Sequence, residues 1–511
     1  SAGRPPFAGG ASISTSHTLA YVNATGGSVT IPAGWQIDIG LEIHAQLNTQ
    51  SKIFSGASTL FGQSPNSQAC AIDLGMPGVL PSVNAEVFKK AVQFGLSIGA
   101  MINQESRFDR KNYFYPDLPK GYQITQMDHP IVLGGEITIH TSDGTEKIIR
   151  VTRAHLEEDA GKSIHDFKPG YTGIDLNRAG TPLLEIVSEP DIKNAEEAVA
   201  YAKAIHQLLT YLEVCDGNMA EGSLRFDANI SVRRQDAEAL GTRSEIKNLN
   251  SFRFLEQAIH FETERQISVL EAGGTLIQDT RLFDPDRHET RSMRSKETAT
   301  DYRYFPEPDL LPVMLTAEFI EEIQAQLPEL PGKRAQRYQT AHELSASDAA
   351  LLSQDRRLGD YFDEVLTFSG NAKSAANWVR GDLLSKLNEH ELGITACPIS
   401  PKHLGEMIQL IDQGVISGKI AKAVFAALWS KQTESAGDYV QKNQLEQVSD
   451  ASAIEPLIDA LIAENPKQAA DLRAGKDKLL GFFVGKVMQA TKGKANPKQV
   501  NDLIRQKLSE P

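Results

Sequence analysis

Several things are scarce in this sequence, and each scarcity narrows the reading. Only three cysteines occur in 511 residues, Cys70, Cys215 and Cys397, far apart and odd in number. That argues against a disulfide framework and for a reducing compartment. No apolar run approaches the roughly eighteen residues of a membrane span, so no membrane partner is expected. Basic residues do not dominate. The formal net charge is −14, and a nucleic-acid partner would have to be met by a local concentration of bases. Acidic residues are absent from the first 34 positions, which are rich in Gly, Ser, Thr, Ala and Pro and hold one Arg. This stretch lacks a starting Met and reads as a processed or added leader. It also resembles an organellar transit peptide, though one poor in Arg. Residues 1–34 are therefore set apart from the fold. The sequon at Asn23-Ala24-Thr25 is read as a chance match.

Common catalytic motifs are missing too. Gly161-Lys162-Ser163 has the tail of a phosphate-binding loop, but Leu156 stands where that loop needs its first glycine. There is no Rossmann glycine fingerprint, kinase catalytic loop, Gly-x-Ser-x-Gly elbow or Cys-x-x-Cys pair. Serine or cysteine hydrolysis is thereby disfavoured, and any nucleotide must sit on another architecture.

What is present begins with Gln36–Leu47, which alternates strictly. Ile37, Ile39, Leu41, Ile43 and Ala45 fall on one face of an extended strand, and Asp38, Gly40, Glu42, His44 and Gln46 on the other. Glu42 and His44 lie roughly 6–7 Å apart along one side of a sheet, within reach of one ion or one proton-transfer site. The plain alternative is a solvated face. Ser223–Arg233 alternates as cleanly, with Arg225, Asp227, Asn229, Ser231 and Arg233 on its polar side. Pro182–Val187 is a short apolar run that suits a strand buried on both faces, where Glu185 needs an arginine, a hydrogen-bond network or a metal as partner. Helices are expected over about 85–98, 194–212 and from 251 to a stop at Gly273-Gly274. A hairpin is expected over Glu136–Arg153, turning at Ser142-Asp143-Gly144.

His155-Leu156-Glu157-Glu158-Asp159 adds three acids in a row. With Glu42, His44 and Glu185 it could supply carboxylates and one imidazole to Mg²⁺ or Mn²⁺, the usual companions of nucleotide phosphates. The alternatives are an acidic turn for 157–159 and a buried ion pair, with Arg178 for instance, for Glu185. Arg107–Tyr122 mixes bases and aromatics, as a nucleic-acid surface or a core hairpin would. From Pro328 onward, alternation gives way to Ala, Leu, Gln and Lys at helical spacing. Asp471–Pro511 holds nine Lys/Arg against four Asp/Glu, the basic concentration hidden in the acidic total. Length alone suggests two to four domains. The divisions expected are a strand-based domain over 35–328, a helical domain over 329–440 and a tail over 441–511, with a break near Thr433–Gly437.

Asp175–Val187 (DLNRAGTPLLEIV) resembles the signature of the GatB family, the B subunits of tRNA-dependent amidotransferases. So do Gly40–His44, Phe108–Gln123, Leu156–Ser163, Glu221–Asn229, Glu245–Phe252, Asp301–Asp309 and Gly481–Asn501, in order from about residue 36 to the end. The archaeal paralogue GatE carries a large inserted domain for which there is no room here. The resemblance implies an α+β fold: a mixed or antiparallel sheet cradle domain, an all-α helical domain and a small helical tail that grips tRNA. It implies an enzyme that binds ATP and Mg²⁺ (Mn²⁺ as substitute) and phosphorylates the side-chain carboxylate of misacylated Glu-tRNA(Gln) or Asp-tRNA(Asn). Ammonia from a partner glutaminase, the A subunit, then displaces the phosphate. The third member of the implied heterotrimer is the C subunit. The implied setting is cytoplasmic, or organellar if the leader is a transit remnant.

By position, the implied metal and catalytic residues are Glu42, His44, Glu158 (preferred to Glu157) and Glu185. Lys162, Asn177 and Arg178 are phosphate-facing candidates. Lys476, Lys478, Lys486, Lys492, Lys494 and Lys498 are the tRNA-facing bases of the tail. Many relatives hold a zinc with four cysteines around the Pro-Gly-x-Leu-Pro turn. Here Cys70 remains, Asp73 stands at the next cysteine position and Met101-Ile102 downstream, so no structural zinc is expected. The competing reading is a non-catalytic tRNA-binding scaffold with a merely structural acidic cluster.

Overall fold

The computed structural model describes residues 31–293, 301–447 and 451–509. The Asn23 sequon, nearly all of the leader and positions 294–300 of the charged Arg291–Pro312 segment lie outside the described residues. The alternating stretch forms strand β1 (Trp35–Gln46). Its apolar side chains Ile37, Ile39, Leu41, Ile43 and Ala45 are at most 3% exposed. Each large one contributes about 2 kcal/mol of burial. Four further strands place the site: β2 (Glu146–Glu158), β3 (Pro182–Ser188), β4 (Leu224–Arg234) and β5 (Ser244–Leu249). They lie in the order β5–β4–β1–β3–β2, all antiparallel, at the centre of a ten-stranded sheet. A parallel pairing of β5 with Asp279–Asp284 makes the sheet mixed. The 136–153 hairpin forms as expected, with Glu136 opposite Arg150 and Gly144 in the left-handed region at φ +83°.

Helices cover one face of this sheet: α1 (Ala85–Ser97), α2 (Ala195–Tyr211) and α3 (Phe252–Glu271). Each starts where the sequence supplies a cap, with Asn84, Asn194 and Ser251 accepting a first-turn backbone N–H. Their apolar stripes and the inward face of the sheet form one core containing Ile39, Leu41, Tyr201, Ile205, Phe226 and Ile259. The opposite face, with its polar alternation, is left for chemistry.

From Ala317 onward the described chain is helical. A second core gathers Tyr338, Phe362, Val365, Leu404 and Phe425, and a third gathers Ile454, Phe483, Val487, Val500 and Ile504. The turn at 433–437 does not divide them. Ala436, within it, and Val440, beyond it, are buried in the second core, which extends to Leu445. The polar turn looks like a boundary in sequence, but the short helix after it (Ala436–Lys442) turns back onto its own unit.

Candidate active site

Antiparallel register puts directly opposed residues on the same side of the sheet. His44 on β1 lies opposite Glu185 on β3, and Glu185 opposite His155 on β2. Glu157, two residues past His155, shares their face. The four side chains converge. His44 Nε2 is 3.4 Å from Glu185 Oε2 and 3.8 Å from Glu157 Oε1. His155 Nε2 is 3.2 Å from Glu185 and 3.5 Å from Glu157. Thr125 donates to Glu157 at 3.1 Å, fixing its carboxylate. Glu185 thus finds its partners in two imidazoles. Arg178, the partner considered from sequence, instead donates to the carbonyls of Ala160 and Gly161.

One residue-pair further along β1, Glu42 stands opposite Asp227 of β4. Glu42, Asp227 and Glu245 of β5 form a second cluster, each offering an oxygen within 4.8 Å of the others; the same limit holds for His44, Glu157 and Glu185. Asn229 donates to Glu42 at 2.9 Å, and Lys247 bridges Asp227 and Glu245 at 3.4 and 2.8 Å. The candidates Glu42, His44 and Glu185 are therefore neighbours, but in two adjoining nests rather than one.

Glu158 is not among them. It lies opposite Pro182 on the other side of β2, where it pairs with Lys120 and accepts the Ile124 N–H at 3.0 Å. The structure puts Glu157 where Glu158 was expected, because residues adjacent on a strand point to opposite faces.

The electrostatics follow from the crowding. Burial disfavours a charged imidazole at His44, but Glu185, Asp227 and Glu157 outweigh it and push His44 up to about 9. His155 is driven to about 9 against the same burial by Glu185 and Glu157. Glu185 is correspondingly held well below the usual carboxylate range by His155 and His44, although burial acts the other way. Glu42 is raised by burial and by its acidic neighbours Glu185, Glu245 and Asp227. These are sites where positive charge is wanted. The ligand sets His44, Glu157, Glu185 and Glu42, Asp227, Glu245, mostly carboxylate oxygens, fit a hard divalent ion such as Mg²⁺ or Mn²⁺, with His155 a further imidazole against the first set. Lys111, from the aromatic-basic stretch, sits 4.7 Å from the Tyr302 ring centroid, and Glu157 and Glu185 keep it charged despite burial. That stretch is therefore divided: Phe108 is core, Lys111 and Tyr113 border the site, and Phe114 is 86% exposed.

Beyond Gln46 the polar face opens into a cavity of about 900 Å³ lined by Gln46, Thr49, Phe61, Lys162, Asn177, Arg178 and Glu221, among others. Gln46 and Arg225 both donate to the buried Asp159 at 3.0 Å, forming the wall between cavity and carboxylates. All three phosphate-facing candidates line this space. Lys162 is exposed. Asn177 is spent on its loop, donating to Ser64 O at 2.8 Å and accepting from Gln68 N–H.

Two models of known families match the chain: the GatB/GatE catalytic domain over residues 37–321 and the GatB domain over 360–508. The chain belongs to the GatB/GatE family. The aspartyl/glutamyl-tRNA(Asn/Gln) amidotransferase B subunit of Thioalkalivibrio sulfidiphilus is 59% identical over 475 residues, covering 93% of this chain and 99% of that protein. Its namesakes in Alkalilimnicola ehrlichii and Nitrosococcus oceani are 58% and 57% identical, with 93% of this chain covered and 99% and 100% of theirs.

Against this GatB background, the loop that sequence singled out for zinc has another fastening. Asp73 accepts from Ser55 Oγ and Cys70 N–H at 2.9 Å each, and pairs at 3.3 Å with Lys52, which is fully buried. A Cβ on Gly180 would come within 2.8 Å of Asp73 Oδ1, so the glycine makes room for the carboxylate. Cys215 belongs to the first core and Cys397 packs on the second, while Met101–Ile102 pairs with Val132–Leu133. One thiol, a carboxylate and an ammonium do not fit a structural zinc, which takes four sulfur or imidazole ligands.

The six tail lysines all lie in or beside the third unit. Lys476, Lys478, Lys486, Lys492 and Lys498 are exposed and Lys494 is half-buried. Sequence reasoning ranked Glu157 second to its neighbour, and missed His155, Asp227 and Glu245 as members of the nests. The alternation His155-Leu156-Glu157, with Leu156 necessarily in the core, was the available signal for Glu157 and His155. Glu245 carried none, because a register shift between β4 and β5 sets its place.

Proposed function

We propose that the chain is the B subunit of a tRNA-dependent amidotransferase that converts Glu-tRNA(Gln), Asp-tRNA(Asn) or both to the amides. It works in the cytoplasm with a glutaminase, the A subunit, together with a C subunit. The observation that carries the reading is the pair of carboxylate nests side by side on the open face of the sheet, next to a cavity large enough for a nucleotide or an aminoacyl terminus. A carboxylate is a poor acceptor for ammonia. Its oxygen must first take the γ-phosphoryl group of ATP, giving an acyl phosphate and ADP. Ammonia then adds to the acyl carbon and expels phosphate.

His44, Glu157 and Glu185 would hold one Mg²⁺, and Glu42, Asp227 and Glu245 a second. Bound there, the ions supply the positive charge that phosphoryl transfer requires. The chain's own groups supply the rest. Lys111 places a fixed cation at the rim of the first nest, and Lys247 offsets part of the negative charge of the second through Asp227 and Glu245. Asn229 and Thr125 orient Glu42 and Glu157. Glutamine hydrolysis needs a nucleophile, and placing it on the glutaminase partner accords with the absence of a serine or cysteine elbow in this sequence.

The test is Glu185→Gln and His44→Ala in the assembled complex. Each is expected to reduce tRNA-linked ATP hydrolysis by more than the roughly 10–100-fold typical of residues behind the ligands, with tRNA binding intact. Unchanged turnover would overturn the catalytic reading in favour of a tRNA-binding scaffold.

A further inference from the structure

Residues 301–309 form a strap fastened across the hairpin of Asp109–Asn112 and Tyr122–Thr125. Phe305 lies opposite Arg110 and Pro306 opposite Asp109. Arg110 donates to the buried Glu307 at 2.7 and 2.9 Å and to Asp309 at 3.2 Å, and its guanidinium lies 4.1 Å from the Tyr122 ring centroid. Asn112 holds the other end. Its backbone N–H and its side chain each donate to Tyr302 O at 3.0 Å, and the side chain also to Arg303 O at 2.9 Å. Between the two tyrosines, Arg303 is in the left-handed region at φ +45°. That conformation is costly for a residue with a Cβ and persists only where its surroundings dictate it.

This fastening brings rings to the first nest. Within the hairpin Asp109 lies opposite Thr125 and Lys111 opposite Gln123, so Lys111 shares the face from which Thr125 donates to Glu157. Lys111 Nζ stands 4.7 Å from the Tyr302 ring centroid and 5.8 Å from that of Tyr113. Tyr302 in turn meets Tyr113 edge to face at 6.1 Å and Tyr304 at 5.9 Å. The Tyr113 hydroxyl donates to Gln123 at 3.0 Å, which fixes that ring. None of the three rings belongs to a hydrophobic core, and Tyr304 is 37% exposed. Large rings set beside carboxylates, with so little of their surface in a core, contribute little through burial. Their placement calls for another reason.

The acyl phosphate of the proposed reaction is an intermediate that water can destroy. Ammonia adding to the acyl carbon breaks its bond to the phosphate oxygen and leaves the amide. Water adding to the same carbon breaks the same bond but restores the carboxylate, so ATP is consumed without product. We infer that Tyr113, Tyr302 and Tyr304 form the wall that keeps bulk water from the acyl carbon, and thereby select ammonia as the nucleophile. Closing a site against water suppresses side reactions of this kind. Ammonia arrives from the partner rather than from solvent, so a wall against solvent does not hinder it. The inference rests on the amidotransferase reading above and deepens it by naming residues that position the barrier without taking part in bond making.

The test is stoichiometric. The assembled complex is given each misacylated tRNA in turn, with ATP and glutamine, in water labelled with heavy oxygen, and ADP is counted against the amide formed. The parent should form the two in equal amounts. Tyr302→Ala and Tyr304→Ala, the latter at an exposed ring, should form at least about two-fold more ADP per amide, with heavy oxygen entering the side-chain carboxylate of the esterified amino acid. Tyr302→Phe and Tyr304→Phe keep the rings and should stay at the parental ratio. A ring that merely supported the fold would lower ADP and amide together. That proportional fall, or an unchanged ratio in both alanine variants, overturns the wall and leaves the amidotransferase reading standing. Excess ADP with heavy oxygen in phosphate alone also overturns it, because water then reaches phosphorus and not the acyl carbon. A parent complex that forms neither ADP nor amide with either tRNA overturns the reading and the wall together.

Discussion

Glu157 and Glu158 show how much one residue of strand phase matters. They are adjacent, equally acidic and both buried, yet Glu157 faces two imidazoles and Glu158 faces Lys120. Glu157→Gln is expected to weaken Mn²⁺ binding, read by calorimetric titration, and to cut tRNA-linked ATP hydrolysis at least about ten-fold. Glu158→Gln should leave Mn²⁺ affinity near the parental value. Its cost should appear in thermal unfolding instead, at about 2 kcal/mol, because Lys120 loses a charged hydrogen-bond partner. Equal loss of Mn²⁺ binding in both variants would contradict the assignment. This detail was legible in principle, because Leu156 must face the core and its neighbours cannot. The partners of Glu185 were not. Both imidazoles come from other strands, and one sequence does not reveal strand register.

At the scale of elements, β1 was readable because each of its faces has one job. Its apolar set is in the core and its polar set supplies Glu42, His44 and Gln46 to the site. Asp38, at the start of the same face, has a structural role: it pairs with Lys193, just before α2, and at 2.7 Å with Arg233 of β4. Burial alone would raise its pKa, but Arg233 and Lys193 prevail and hold it below the usual carboxylate range. A carboxylate depressed in the folded state binds its proton more tightly when unfolded, so stability rises with pH between the two values. The contribution is complete above the unfolded value of about 3.9 and disappears as pH falls through the folded one. Asp38→Asn should therefore lower unfolding stability by about 2 kcal/mol at pH 7. In urea titrations the gap from the parent should close progressively below about pH 4. A gap independent of pH would mean that the side chain acts through packing rather than charge. The Lys52–Asp73 pair, by contrast, was only half visible: the sequence showed that a cysteine position had changed, but the buried lysine that makes an aspartate tolerable there lies twenty-one positions away.

For the whole molecule, the broad division was legible in the change of period near residue 328, from strand alternation to helical spacing. Of the later division, only the break near Thr433–Gly437 was misplaced, because a polar turn inside a helical unit resembles a linker between units. Core membership resolves it: Ala436 and Val440 belong to the second core, whereas the third begins at Ile454 and shares no residue with it. This separation has a functional consequence. The third unit is marginally sized, buries its own apolar set and bears the exposed lysines, so it can be removed without opening a cavity in the other two. A chain ending at residue 447 should keep the thermal transition of the first two units and the Mn²⁺ affinity of the nests. It should lose tRNA affinity, with the slope of log affinity against log salt falling by about one per phosphate contact removed. Replacing Lys478, Lys486, Lys492 and Lys498 by alanine in the full chain should reproduce much of that change in slope without altering the fold. If truncation instead abolished Mn²⁺ binding, the third unit would be supporting the catalytic sheet. If tRNA affinity and its salt slope were unchanged, the basic tail would be a solvated surface, and the RNA grip would have to be sought in the first two units.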